Sequence, residues 1–448
     1  MHGYKPFPHR GICRAGTVFL RGGGMKGEYE KRMRTQLEDF EKYAACLSEP
    51  PVRGIRVNTL KTDPAAFRAA APFATSPVPW NENGFYTKEE DRPGKSPYHD
   101  AGLYYVQEPS AQAAAPMLYA RPGERVLDLC AAPGGKGTDL AQAMRGQGIL
   151  VLNEKIPDRA AVLSQNVERL GVRNAIVTCA GPDTLGDRFP GYFDKILVDA
   201  PCSGEGMFRR DPEAERAWSQ ETVDMCAARQ RKILASAHAM LRGGGSLLYS
   251  TCTFSPEECE ENRNWLLASY PDLTLKEEKK LYPHRVRGEG HYCALFVRED
   301  ETEDFFAGRE KPCQDRRTLA LYRNFEACAF RAREEGEIYA FGNTIYLYPG
   351  PLFSLRGLRV LRAGVRLGSC ENGRFVPAHA LAAAKRSDEF QRTVSMDDEA
   401  AEVYLRGGTL PCGEEDGWCA AVYGGHPLGF GKCVGGVMKN HYPKALRR

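Results

Sequence analysis

From position 125 the chain alternates short apolar runs with amphipathic stretches. RVLDLC (125–130), GILVLN (148–153), the segment 175–179, FDKILVD (193–199) and GSLLYS (245–250) each have the length and apolar continuity of a buried strand. Between them, 134–144, 157–170 and 219–241 carry apolar residues at helical spacing, and Gly171 closes the second of these as a helix-ending residue. Such alternation predicts an α/β fold with a doubly wound, mostly parallel sheet. Ligands of these sheets bind outside the carboxyl ends of the strands.

Upstream, Met33, Leu37, Phe40, Tyr43 and Leu47 mark one helix over 26–49, stopped by Pro50 and Pro51. Residues 54–58 read as a strand, 70–102 as loops rich in Pro, Gly and Asn, 102–107 as a strand and 109–119 as a helix. Downstream, the charged stretch 300–318 reads as a linker. Beyond it, short strands punctuated by Gly and Pro suggest small β-rich modules, whose deletion from about residue 320 is expected to leave ligand binding by the main sheet intact. The first 24 residues lack an apolar core, and Met25 follows three glycines. They read as a disordered leader or an extension ahead of the true start.

Composition narrows the class. The 448 residues are 42% hydrophobic and 27% charged, which excludes wholesale disorder and coiled coil. No apolar run approaches the roughly 18 residues of a membrane span. The net charge of +3 is too small to decide on a nucleic-acid partner. Fifteen cysteines without a Cys-x-x-Cys pair argue against zinc and redox motifs, and point to a cytoplasmic chain with reduced thiols.

The unusual residues stand at the strand ends. The first strand runs into Cys130-Ala131-Ala132-Pro133-Gly134-Gly135-Lys136, small residues that let a ligand approach the backbone at a helix N-terminus. Lys136 is followed by Gly137, so this is not a P-loop. The second strand ends at Glu154, where an acid can hold a ribose diol. The fourth ends in Asp199-Ala200-Pro201-Cys202 and the fifth in Thr251-Cys252, ahead of a predicted capping box, Ser255 to Glu258, whose helix dipole would favour a Cys252 thiolate. Two thiols and an acid suit covalent activation of a pyrimidine: a thiolate adds to carbon 6, carbon 5 becomes nucleophilic, and the C5 proton must leave before the thiol is expelled.

The stretches CAAPGGKG (130–137), VDAPCSGEGMFRR (198–210) and YSTCTFSPEECEEN (249–262) resemble the RNA cytosine-5 methyltransferases of the Nop/Sun superfamily. LYPHRVRGEGHYCALF (281–296), GRFVPAHALAAA (373–384) and LGFGKCVGGVMKNHYPKALR (428–447) narrow the likeness to the bacterial small-subunit (16S) ribosomal RNA cytosine-5 methyltransferase F family. The resemblance implies an α/β fold: a Rossmann-like class I methyltransferase sheet with a small N-terminal α+β domain and β-rich, PUA-like C-terminal modules. Its expected limits are 1–24 leader, 25–102 N-terminal domain, 103–300 methyltransferase domain, 301–318 linker, 319–390 first C-terminal module and 391–448 PUA-like module.

It further implies S-adenosylmethionine as cofactor, held by Cys130, Ala131, Ala132, Pro133, Gly134, Gly135, Lys136, Glu154 and Asp199. Cys252 would be the nucleophile, Cys202 would aid release, Asp199 would bind the cytosine and Lys136 would orient it. The family often has an acid after the third strand for the adenine amine. Gly181 stands there in this chain, with Asp183 two places later. Expected partners are ribosomal RNA, free or in an assembled small subunit, with no metal or membrane, and a monomeric chain. Arg209 and Arg210 would lie near a phosphate, while His379, His426 and Trp418 read as structural. Three alternatives stay open: exchanged thiol roles, as in DNA cytosine-5 methyltransferases; transfer RNA as substrate; and a non-catalytic ribosome-assembly RNA-binding protein.

Overall fold

The computed structural model describes residues 27–448 except 72, 74, 75 and 304, so the expected leader lies outside the described residues. Eight strands form the central sheet: β1 (Arg125–Asp128), β2 (Ile149–Asn153), β3 (Ala175–Thr178), β4 (Phe193–Asp199), β5 (Leu241–Thr251), β6 (Leu273–Leu281), β7 (His291–Arg298) and β8 (Val360–Ala363), in the order β6-β7-β5-β4-β1-β2-β3-β8. The first five are parallel, while β7, β6 and β8 run antiparallel to their neighbours. Successive residues of each parallel strand enter opposite cores: Leu127, Val151, Ile176 and Ile196 on one face, Val126, Leu150, Val177 and Leu197 on the other. That is the period of two expected of a sheet covered on both sides. The chain proceeds from β1 outward to β3, then returns to β4 on the other side of β1. The switch point therefore lies between the carboxyl ends of β1 and β4, the place where open α/β sheets bind ligands.

The helices connecting the strands are α1 (Gly135–Ala143), α2 (Pro157–Arg169), α3 (Pro182–Arg188), α4 (Gln220–Met240) and, after β5, α5 (Glu260–Ser269). All five predicted strands and the three predicted helices between them are present.

Several expectations need correction. The single helix over 26–49 is two, Gly27–Gln36 and Phe40–Cys46. The Asp39 carboxylate between them makes no cap, because it is taken by Arg285 at 2.8 Å. The apolar stripe survives the break and packs on the loops that follow β4 and β5: Tyr29 lies 5.0 Å from Phe208, and Tyr43 lies 6.1 Å from Phe254. Residues 70–102 are not all loop, since the strand Asn81–Thr87 pairs with Arg53–Val57. Its polar start reflects hydrogen bonds to the catalytic domain, from Asn81 Nδ2 to Asp139 and to the Gln112 carbonyl. The segment 109–119 is a 3-10 turn followed by one short helical turn. Within the expected linker the helix Arg316–Ala329 has already begun, and the Glu310 and Cys313 N–H groups donate to Leu352 and Ile338. One thiol pair departs from the reduced state expected, as Cys412 and Cys433 are joined by a disulfide.

The modules beyond the linker share buried cores with the rest of the chain. β8 zips onto β3, and Tyr339, Tyr348, Leu352 and Phe353 are buried in the same core as Phe189 and Ile196. The C-terminal sheet shares its core with the N-terminal one, through Leu428 and Met438 packed with Ile55 and Phe85. At about 1.5–3 kcal/mol per large buried side chain, exposing these residues removes an amount comparable with a whole domain's stability of about 5–15 kcal/mol. A chain ending at residue 319 is therefore expected to lose its cooperative thermal transition. If it melted cooperatively at the full-length temperature, the shared core would contribute little.

Candidate active site

The site is built at the switch point. Gly134 turns the chain from β1 into α1 with φ +115°, a conformation that favours glycine, and caps the helix start. The turn is tied down on both sides: the Ala131 N–H donates to the Asn153 carbonyl at 2.8 Å, and Arg159 donates to the Ala132 carbonyl at 2.9 Å. Arg159 also lies 3.2 Å from Glu154, whose other oxygen accepts from the Ile156 N–H at 2.9 Å. Glu154 is thus fixed at the end of β2, beside the turn. Each of its oxygens accepts one partner and keeps a second lone pair.

Lys136 crosses the switch point. Its Nζ lies 2.7 Å from Oδ2 of Asp199, and Ser250 donates to Oδ1 at 2.8 Å. Burial opposes both charges, yet their attraction prevails: the Asp199 carboxyl is held below its ordinary value and the Lys136 ammonium above.

The two thiols meet because β4 and β5 are paired in parallel with Asp199 opposite Ser250. Cys202 and Cys252 leave these strands side by side, Sγ to Sγ 3.1 Å. The hydrogen bond to Cys252, and then burial, push the Cys202 thiol far up, so Cys202 keeps its proton. A buried polar network fixes its loop. Glu258 accepts from the Ser203 N–H at 3.1 Å and from Gln230 at 2.7 Å, and the Gly206 N–H donates to the Cys252 carbonyl at 2.9 Å.

The predicted capping box is therefore absent. Ser255 donates to Glu205 at 2.6 Å, Glu258 serves the Cys202 loop, and α5 starts only at Glu260. Cys252 is eight residues from that helix start, beyond the first turn where a helix dipole acts. Arg209 is likewise not available to a phosphate. It is buried, 2.7 Å from Glu289, and donates to the Gly288 and Cys46 carbonyls. Arg210 is exposed. His379 is half-buried, 5.2 Å from Tyr442, and Trp418 packs on Phe430 at 5.8 Å, both as structural residues.

Two groups escaped the sequence reading. Asp128 ends β1 fully buried, and neither of its oxygens has a hydrogen-bond partner of good geometry among the described residues, the backbone of Cys130 offering only a weak contact. Burial first, and the charge of Asp199 second, push its carboxyl up to about 8. Its only sequence signal was an acid within an apolar strand. His291, the first residue of β7, stands with Nε2 3.7 Å from Asp199. An unpaired buried acid at the turn and a second acid at the end of β2 fit a ligand that carries positive charge and a ribose diol. S-adenosylmethionine has both features. Among the described residues no three His, Cys, Asp or Glu side chains are grouped to hold a metal, and no helix is long and apolar enough to cross a membrane.

Four family models match in order along the chain. The N-terminal domain of 16S rRNA methyltransferase RsmF matches 25–109, 16S rRNA methyltransferase RsmB/F 115–309, the RsmF first C-terminal domain 324–384 and the RsmF PUA domain 391–448. Ribosomal RNA small subunit methyltransferase F of Escherichia coli O157:H7 is 32% identical, over 91% of this chain and 93% of its own. The chain belongs to the ribosomal RNA small subunit methyltransferase F family. The Citrobacter koseri member is 31% identical over the same shares of both chains. A methyltransferase homologue from Pyrococcus horikoshii superposes with a TM-score of 0.53 and 30% identity, covering 58% of this chain and 91% of that one. NSun6 from Pyrococcus horikoshii shares the fold, with a TM-score of 0.54 and 21% identity over 61% of this chain and 97% of its own. Membership makes this protein an enzyme of the methyltransferase class, with the Rossmann-like core and PUA-like end described above.

Proposed function

We propose that the protein methylates carbon 5 of cytosine in small-subunit ribosomal RNA, using S-adenosylmethionine. The observation that carries this reading is the thiol pair Cys202–Cys252 at 3.1 Å, set beside the Lys136–Asp199 pair at the switch point. The turn 130–136, Asp128 and Glu154 hold the donor. When bound, it supplies an electrophilic methyl group, for which the activated carbon 5 is the acceptor.

The chain's own residues do the rest. Asp199, kept ionised by Lys136 and Ser250, accepts from the exocyclic amine of the target ring. Cys252 adds to carbon 6 as the thiolate. Cys202, 3.1 Å from Cys252, assists the later release of the methylated base, the C5 proton passing to solvent. This order of the two thiols is the one the family resemblance implies, with the exchanged, DNA-type arrangement as the alternative. The relatives are named for 16S and small-subunit ribosomal RNA, which supports ribosomal RNA over transfer RNA as the substrate. The intact thiols and donor turn also weigh against a purely structural assembly factor.

Tritium release tests the reaction class. Small-subunit RNA carrying tritium at cytosine carbon 5 should release label to water in step with methyl incorporation. Methyl incorporation without tritium release would place the methyl elsewhere. The donor site has its own test. Glu154→Ala should weaken S-adenosylmethionine binding by about 1.5–3 kcal/mol, the value of hydrogen bonds to a charged group. Calorimetry on the folded variant showing unchanged affinity would remove Glu154 from the site.

A further inference from the structure

His291 is buried at 2% exposure, and neither ring nitrogen has a hydrogen-bond partner among the described residues. Leaving a buried donor and acceptor unmet is costly, and such groups are ordinarily paired. The imidazole is nevertheless held firmly. Tyr292 pairs with Thr251, next to Cys252. The Gly290 N–H donates to Ser110 at 3.0 Å, the Glu289 N–H donates to Glu108 at 2.8 Å, and Glu289 is locked to Arg209. The protein has built a rigid frame around a side chain whose polar atoms it does not use. The frame aims Nε2 at Asp199 Oδ1, 3.7 Å away, beyond hydrogen-bond range.

The neighbours define what the unused N–H is for. Asp199 is an ionised carboxylate and only accepts. On a cytosine it can serve the exocyclic amine but not the acceptors of the ring, N3 and O2. Lys136 already spends a proton on Asp199. Thiolate addition at carbon 6 drives negative charge onto those same ring acceptors, so a fixed donor beside Asp199 is worth most when charge develops. Burial, with the Lys136 charge adding to it, lowers the imidazole to about 3, so it meets the base neutral, with one N–H to give.

We propose that His291 is a catalytic residue that contacts the target base, its N–H donating to the acceptor edge of the cytosine ring as Cys252 adds. The assignment rests on the cytosine-methylating reading above. No relay through Asp199 is required.

The test compares His291→Leu, which fills similar space without polar atoms, with His291→Gln, which keeps a donor and an acceptor. Single-turnover methylation of small-subunit RNA is measured with full-length protein, beside calorimetric donor binding and thermal melting. The leucine variant should lose about a hundredfold in rate, the scale for removing one donor to developing charge. The glutamine variant should recover most of that loss. Both should bind the donor as tightly as the parent, and the leucine variant should melt at the same or a higher temperature, because it removes unmet buried polar atoms. A leucine variant with the parental rate would overturn the proposal. So would equal losses in both variants, or loss of donor binding, which mark a packing role. If the parent itself transfers no methyl to cytosine carbon 5, the underlying reading fails instead, whatever the variants do.

Discussion

Cys252→Ser should abolish turnover and form no covalent adduct with RNA, whereas Cys202→Ser should trap one. A serine hydroxyl is ionised far less than a thiol of pKa about 8.5, so it cannot add to carbon 6. Cys202 stands on the other side of the reaction. With its sulfur 3.1 Å from Cys252, it is placed to act once the adduct exists. Its replacement leaves addition and methylation possible and stalls release. The product is a methylated enzyme–RNA adduct that survives denaturing electrophoresis. Labelled RNA on a denaturing gel reads both variants. An adduct with Cys252→Ser but not with Cys202→Ser would reverse the two roles.

Asp199→Asn should lower the single-turnover rate by about 10²–10³-fold, the scale for losing one preorganised charged contact to the reacting group. The amide keeps the shape of the carboxylate but no longer balances Lys136, 2.7 Å away, and its NH2 opposes the exocyclic amine it must hold. Donor binding should fall less than the rate, because Asp128, Glu154 and the 130–136 turn remain. Rapid-quench kinetics beside calorimetry separates the two effects. Equal losses in rate and donor affinity would make Asp199 chiefly a donor ligand.

Much of the candidate site was legible because it is local to strand ends. Asp199 and Cys202, and Ser250 and Cys252, each follow a recognisable apolar strand, and parallel pairing of those strands then brings the thiols together. His291 was not legible. It reaches Asp199 only through the antiparallel pairing of β7 with β5, which no local pattern announces. The capping box failed for a related reason. Ser255 and Glu258 have the right spacing, but Glu205, Ser203 and Gln230 claim their side chains first. Tertiary partners outbid the local motif.

The β-rich modules after residue 318 are present, but the cores they share with the rest of the chain were not legible, because strand pairing is blind to domain limits. Nothing in Val360–Ala363 indicates that it completes the catalytic sheet beside Ala175–Thr178. The strand Asn81–Thr87 was hidden because its polar start reads as a turn, whereas Asn81 is spent on Asp139 and the Gln112 carbonyl.

The central claim is a methyl group on cytosine carbon 5 of small-subunit ribosomal RNA. Its most direct test is bisulfite sequencing of that RNA from cells lacking the gene, before and after incubation with the purified protein and S-adenosylmethionine. At least one cytosine should become resistant to deamination after incubation with the parent protein and stay sensitive with Cys252→Ser. Radiolabelled methyl incorporated into the RNA with no cytosine gaining resistance would contradict it.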